Sequence, residues 1–88
     1  MDFRWIDWNI DKVQSHGVEP EEAEQAVRGA RPPYPRSDLD GRRLVRARTD
    51  SGRYLQVVFI IDPDRGAFVI HSRPLNVREQ RNFRRETK

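Results

Sequence analysis

Only His16 and His71 titrate near neutrality without help, so general acid-base chemistry at pH 7 falls first to them. His71 stands two residues before Arg73. In a strand that spacing puts both on one face, where one group can hold a phosphate while the other moves a proton. The plain alternative for His71 is a strand-end histidine packed against a helix. His16 precedes Gly17 at a helix stop, where its ring can equally serve the helix end by bonding a free carbonyl. Glu79 is a candidate proton acceptor, yet its place three residues after Asn76 completes a capping box that accounts for it fully. Arg48 and Arg53 bracket a tight turn with Tyr54 beside them, and Arg78, Arg81, Arg84 and Arg85 recur along the last segment. Guanidinium groups interleaved with aromatic rings suit RNA, since the planar fork matches phosphate and stacks on bases. A merely solvated charged surface is the competing reading.

These groups must be positioned by few elements. Arg53 to Arg73 reads as two strands around one turn: Val57 to Ile61 is an unbroken β-branched and aromatic run, and Asp62-Pro63-Asp64-Arg65-Gly66 reverses the chain, with Gly66 free to take a positive φ. A hairpin without irregularity pairs Leu55, Val57, Phe59 and Ile61 with Arg73, His71, Val69 and Ala67. Its polar end then gathers Tyr54, Gln56, His71, Ser72 and Arg73. Arg42 to Arg48 alternates imperfectly and joins this hairpin through Thr49-Asp50-Ser51-Gly52, giving a three-stranded meander.

Ahead of it, Asp2 to Trp5 is a short strand or extended arm. A first helix runs from about Asp7, which can cap it, to His16, with Ile6, Ile10 and Val13 as its apolar stripe. Pro20 and three glutamates open a second helix, Glu21 to Arg28, closed by Gly29; Ala23, Ala26 and Val27 are its apolar face. Arg31 to Gly41 is an irregular segment with Tyr34 and Arg36 as candidate contacts. Asn76 caps a third helix reaching about Arg85, a basic rod with Val77 and Phe83 to dock it.

At 88 residues the chain makes one domain with a lean core, 35% of it hydrophobic and 35% charged. It has no cysteine, hence no disulfide, thiolate nucleophile or cysteine metal site. No Gly-rich phosphate loop, zinc-type ligand cluster or nucleophile elbow is present, and no cofactor or metal is expected. No apolar run approaches the length of a membrane helix and the acidic start lacks the regions of a signal peptide, so a cytoplasmic location with no membrane partner is expected. The net charge of +3 is uneven: residues 1–25 carry seven acids and two bases, whereas residues 71–88 carry six bases and two acids.

Read in order, Trp5 to Val18, the following Glu-Pro-Glu-Glu-Ala-Glu-Gln-Ala-Val, Arg48 to Phe59, and Val69 to Phe83 resemble the BrnT family of toxins over nearly the whole chain. His16-Gly17-Val18, Gly52-Arg53, Arg73 and Glu79 match that family's pattern. Glu19, His71 and Phe83 depart from it, standing where Ser or Thr, Ser or Thr, and Tyr are usual. Losing a phenol and gaining an imidazole changes what can transfer a proton.

The resemblance implies a RelE-like α+β domain spanning residues 1–88: a three- to four-stranded antiparallel sheet with two N-terminal helices packed on it and a C-terminal basic helix. It further implies the toxin of a type II toxin-antitoxin system, a metal-independent endoribonuclease that inhibits translation by cutting RNA. Its implied partners are RNA and a cognate antitoxin of ribbon-helix-helix type, in a dimer of toxin-antitoxin pairs. In that reading His16, His71, Arg73 and Glu79 are the catalytic candidates, and Arg48, Arg53, Tyr54, Arg78 and Arg81 bind RNA. The other class is a non-catalytic basic module that binds nucleic acid or an acidic protein.

Overall fold

Helix α1 (Asp7–Ser15) stops where a left-handed residue is available: Gly17, at φ +76°, lets the Val18 amide donate to the Val13 carbonyl at 3.0 Å and the Gly17 amide to that of Gln14 at 2.9 Å. This is a Schellman closure, and its accompanying apolar contact is made by Val13 and Val18, both fully buried. His16 is thereby held at the helix end. The computed structural model that shows this describes residues 1–87.

Asp7 does not cap α1. The Asn9 side chain, fully buried, accepts from the Ile6 amide at 2.7 Å and donates to the carbonyls of Arg4 and Val69, both at 3.1 Å. A buried amide with every bond made is worth keeping, because an orphaned one costs about 1–3 kcal/mol. The expected stripe changes accordingly: Asn9 and Val13 face inward, whereas Ile6 is exposed.

Helix α2 (Pro20–Arg28) begins at its proline, one residue before the start read from the sequence, and buries Ala23, Ala26 and Val27 as expected. Strands β1 (Arg36–Ser37), β2 (Arg43–Arg48), β3 (Tyr54–Ile61) and β4 (Ala67–Pro74) form an antiparallel sheet in chain order. The meander is therefore four-stranded, with β1 a two-residue addition from the irregular segment. Asp2 to Trp5 is an extended arm that touches β4 through one parallel bridge, Phe3 to Ala67.

One face of the sheet, Val45 and Ala47 on β2, Leu55, Val57 and Phe59 on β3, and Ala67 and Val69 on β4, packs against Val13, Val18 and the small residues of α2. Leu55 and Phe59 are the largest side chains wholly inside, each contributing about 1.5–3 kcal/mol of burial.

The register departs from the simple hairpin. Ile61 pairs with Ala67, Ile60 with Phe68 and Phe59 with Val69 as expected, but β4 then bulges at Ile70, so that Val58 pairs with His71, Val57 with Ser72 and Gln56 with Arg73. One extra residue moves the set by one, and with side chains alternating every second residue it exchanges faces. Ser72, not His71, takes the buried place beside Val57, its hydroxyl donating to the Gln56 carbonyl at 3.0 Å. In the turn, Arg65 rather than Gly66 is left-handed, at φ +72°.

Helix α3 (Val77–Glu86) opens with the expected capping box: the Glu79 amide donates to Asn76 Oδ1 at 2.8 Å and the Asn76 amide to Glu79 Oε1 at 3.0 Å. Val77 is 64% exposed and docks nothing. α3 buries no residue outright and is held by polar contacts at two acids, Glu79 and Glu86, with Phe83 between Tyr34 and Tyr54. Among the described residues no helix is long and apolar enough to cross a membrane.

Candidate active site

The Schellman closure of α1 and the bulge of β4 act together: the rings of His16 and His71 meet edge to face, centroids 5.3 Å apart. His16 is exposed and His71 half-buried. Burial holds the His71 pKa below its ordinary value, and the nearby charges of His16, Arg73 and Lys12 lower it further. Lys12 lies one turn before His16 on the same stripe of α1, with Trp8 one turn earlier still and its ring under the Lys12 ammonium at 5.5 Å. The sequence reading passed over Lys12, although its i, i+4 relation to His16 was visible.

Arg73 and Glu79, both candidates, are engaged with each other. Arg73 donates to the two Glu79 oxygens at 2.8 and 2.7 Å, and Arg46 donates to the second at 3.2 Å. Gln56 stands between these arginines in the sheet, paired with both, and accepts from Arg46 at 3.1 Å. The Arg73 bonds and the Asn76 amide pull the Glu79 carboxyl down to about 2, so it stays ionised at neutrality and is too weak a base to accept a proton readily. Its place is that of a clamp on the arginine pair. Arg46 was not singled out from the sequence.

Arg53 points elsewhere. Its guanidinium donates to both oxygens of Glu22 on α2, at 2.7 and 2.8 Å. Arg48, Arg53 and Arg73 therefore do not form one cluster: Glu22 takes the second, Glu79 the third, and the first lies over Tyr54 at 5.5 Å. Arg78 and Arg81 are exposed on the side of α3 away from Glu79 and Phe83. Tyr34, expected as a contact, is only 5% exposed and donates its hydroxyl to Glu86 at 2.8 Å, while Arg36 pairs with the same carboxylate. Both anchor the end of α3.

Tyr54 and Arg48 do keep company at the mouth of an open cleft of about 630 Å³, where Arg31 and Arg84 join them. Among the described residues no three His, Asp or Glu side chains converge as a metal site would require. No protein-family model, curated protein or solved structure matches the chain.

Proposed function

We propose that the chain is a small metal-independent endoribonuclease of the toxin type its sequence resembles, with His16 and His71 as the acid-base pair. The observation that carries the reading is the meeting of the two imidazoles beside Lys12 and Arg73. Two rings 5.3 Å apart are both within reach of a single phosphodiester. His71, whose environment favours the neutral form, accepts the proton of a ribose 2′-hydroxyl. The 2′-oxygen then forms its bond to phosphorus, the bond to the 5′-oxygen breaks, and His16 protonates that leaving oxygen. The products are a 2′,3′-cyclic phosphate and a 5′-hydroxyl. Lys12 supplies positive charge where the phosphorane gathers negative charge, the kind of stabilisation that dominates such steps. Arg73, neutralised in part by Glu79, acts as a positioning residue.

Under this reading Arg48 and Tyr54 hold RNA, Arg78 and Arg81 on the outer side of α3 adding only general positive charge, and the chain works in the cytoplasm under the control of an antitoxin, the ribbon-helix-helix type being the expected one. Purified protein incubated with RNA and a chelator tests it. Cleavage slowed roughly 10²- to 10⁴-fold in both His16→Ala and His71→Ala, with the fold kept, supports the assignment; cleavage undiminished in either variant refutes it. The second reading, a binding module without chemistry, is favoured by the cationic cleft, which needs no histidine.

A further inference from the structure

The cleft at the far end of β2 is lined by Arg31, Arg46, Arg48 and Arg84 together with Tyr54 and Phe83. Its lining contains one acid, Asp50, and the Gln25 side chain occupies that carboxylate at 2.8 Å. Arg46 is spoken for by Glu79. The guanidinium groups of Arg31, Arg48 and Arg84 make no hydrogen bond or ion pair with any described residue, although seven of the fourteen acids of the domain are paired with other arginines. Like charges left unpaired around one concavity raise the local concentration of anions.

The local fold holds these charges in a layered arrangement. Gly52, at φ +91°, turns β2 into β3 and leaves room for the Arg48 side chain, whose nearest guanidinium nitrogen lies 3.4 Å from where a Cβ at Gly52 would stand. Arg48 then reaches over Tyr54 from one side, and Arg84 of α3 approaches the same ring at 5.9 Å. Phe83 meets Tyr54 edge-on at 5.9 Å and supports it. Guanidinium planes against an aromatic ring offer both a fork for phosphate and a flat surface for an unpaired base. A duplex hides its base faces and cannot use the second.

We infer that this cleft is a grip for single-stranded RNA, separate from the histidine pair, seating a phosphodiester among Arg31, Arg48 and Arg84 and a base against the layer formed with Tyr54. It takes from the cleavage reading only the identity of the polymer. The sequence named Arg48 and Tyr54 for such a role; Arg31 and Arg84 complete it.

The test is fluorescence anisotropy with a labelled, 2′-O-methylated single-stranded RNA, which lacks the attacking hydroxyl and cannot be cut. The proteins are the wild type, R48A/R84A, and R78A/R81A as a charge-matched control, each checked by thermal melting. R48A/R84A should bind roughly tenfold or more weakly and lower the slope of log affinity against log salt by about 1.4, two contacts at about 0.7 each. The control should lose less on both counts. Tyr54→Ala should weaken binding roughly five- to a hundredfold, with Tyr54→Trp restoring it. Equal losses in the two double variants, equal affinity for an RNA duplex, or equal affinity for a poly-glutamate peptide would overturn the inference. Cleavage of unmethylated RNA is scored in parallel. Binding through the cleft without any cleavage removes the catalytic reading and leaves this site, whereas cleavage with R48A/R84A binding unchanged does the reverse.

Discussion

His16 and His71 lie 55 positions apart in the chain, yet their rings touch edge to face at 5.3 Å, one held by the closure of a helix and the other by a bulge in a strand. The His16 charge is therefore among the causes that hold the His71 pKa down, after burial. Removing the neighbour in His16→Ala should raise the His71 pKa, and so should Lys12→Ala, by less. Proton NMR titration of the His71 ring checks both; a His71 pKa that does not move in His16→Ala would mean the rings do not interact in solution.

The same depression has a stability consequence. An imidazole held below 6.5 in the fold binds fewer protons than in the unfolded chain, so folding stability is fully present above about pH 6.5 and falls as pH drops through the folded value. Denaturant melts of wild type and His71→Asn over this range should differ in slope against pH, the variant being flatter.

Glu79 governs a second, lower window. Its carboxyl is lowered from 4.5 to about 2 by Arg73 and the Asn76 amide, so its contribution is complete above about pH 4.5 and is lost as pH falls toward 2. Because α3 buries no side chain outright, this loss should appear first as release of α3. Hydrogen exchange in α3 should rise below pH 4.5 before the sheet opens, and Glu79→Gln should show that exchange already at pH 7.

Much of the scaffold was legible in the residues. The apolar run of β3, the reversal after Pro63, the Asn76 and Glu79 capping box and Gly17 after α1 each carry a local signal that the structure repeats, though the left-handed residue of the reversal is Arg65 and not Gly66. The bulge at Ile70 carries none. An isoleucine inside a β-branched run looks like any other, and the period-two rule that placed His71 beside Val57 assumes that no residue is left over. The arginines failed for a different reason. Each looks alike along the chain, and whether it is free or quenched depends on a carboxylate far away: 31 residues for Arg53 and Glu22, 33 for Arg46 and Glu79.

Asn9 had no place in the apolar stripe read for the first helix, and its burial is the least expected feature of the core. Asn9→Ala removes the acceptor for the Ile6 amide and the donor to the Val69 carbonyl and should cost about 1–3 kcal/mol. Urea denaturation measures it; a change under about 0.5 kcal/mol, the range of an ordinary surface substitution, would show that these bonds are not formed.

Gly17→Ala tests the other half of the site's construction. A Cβ there meets no atom, so the whole effect is that of forcing an L side chain to φ +76°, about 1 kcal/mol. A His71 pKa that rises in this variant as it does in His16→Ala would show that the helix stop aims His16; an unchanged His71 pKa would show that it does not.

The pH profile of RNA cleavage in the presence of chelator bears most directly on the acid-base pair. The wild type should give products ending in 2′,3′-cyclic phosphate and 5′-hydroxyl and a rate that rises with pH through the lowered pKa of His71, with the residual activity of His71→Ala losing that rise and His16→Ala keeping it at a lower rate. A rise that persists in His71→Ala, or the absence of any cleavage by the wild type, would contradict the account.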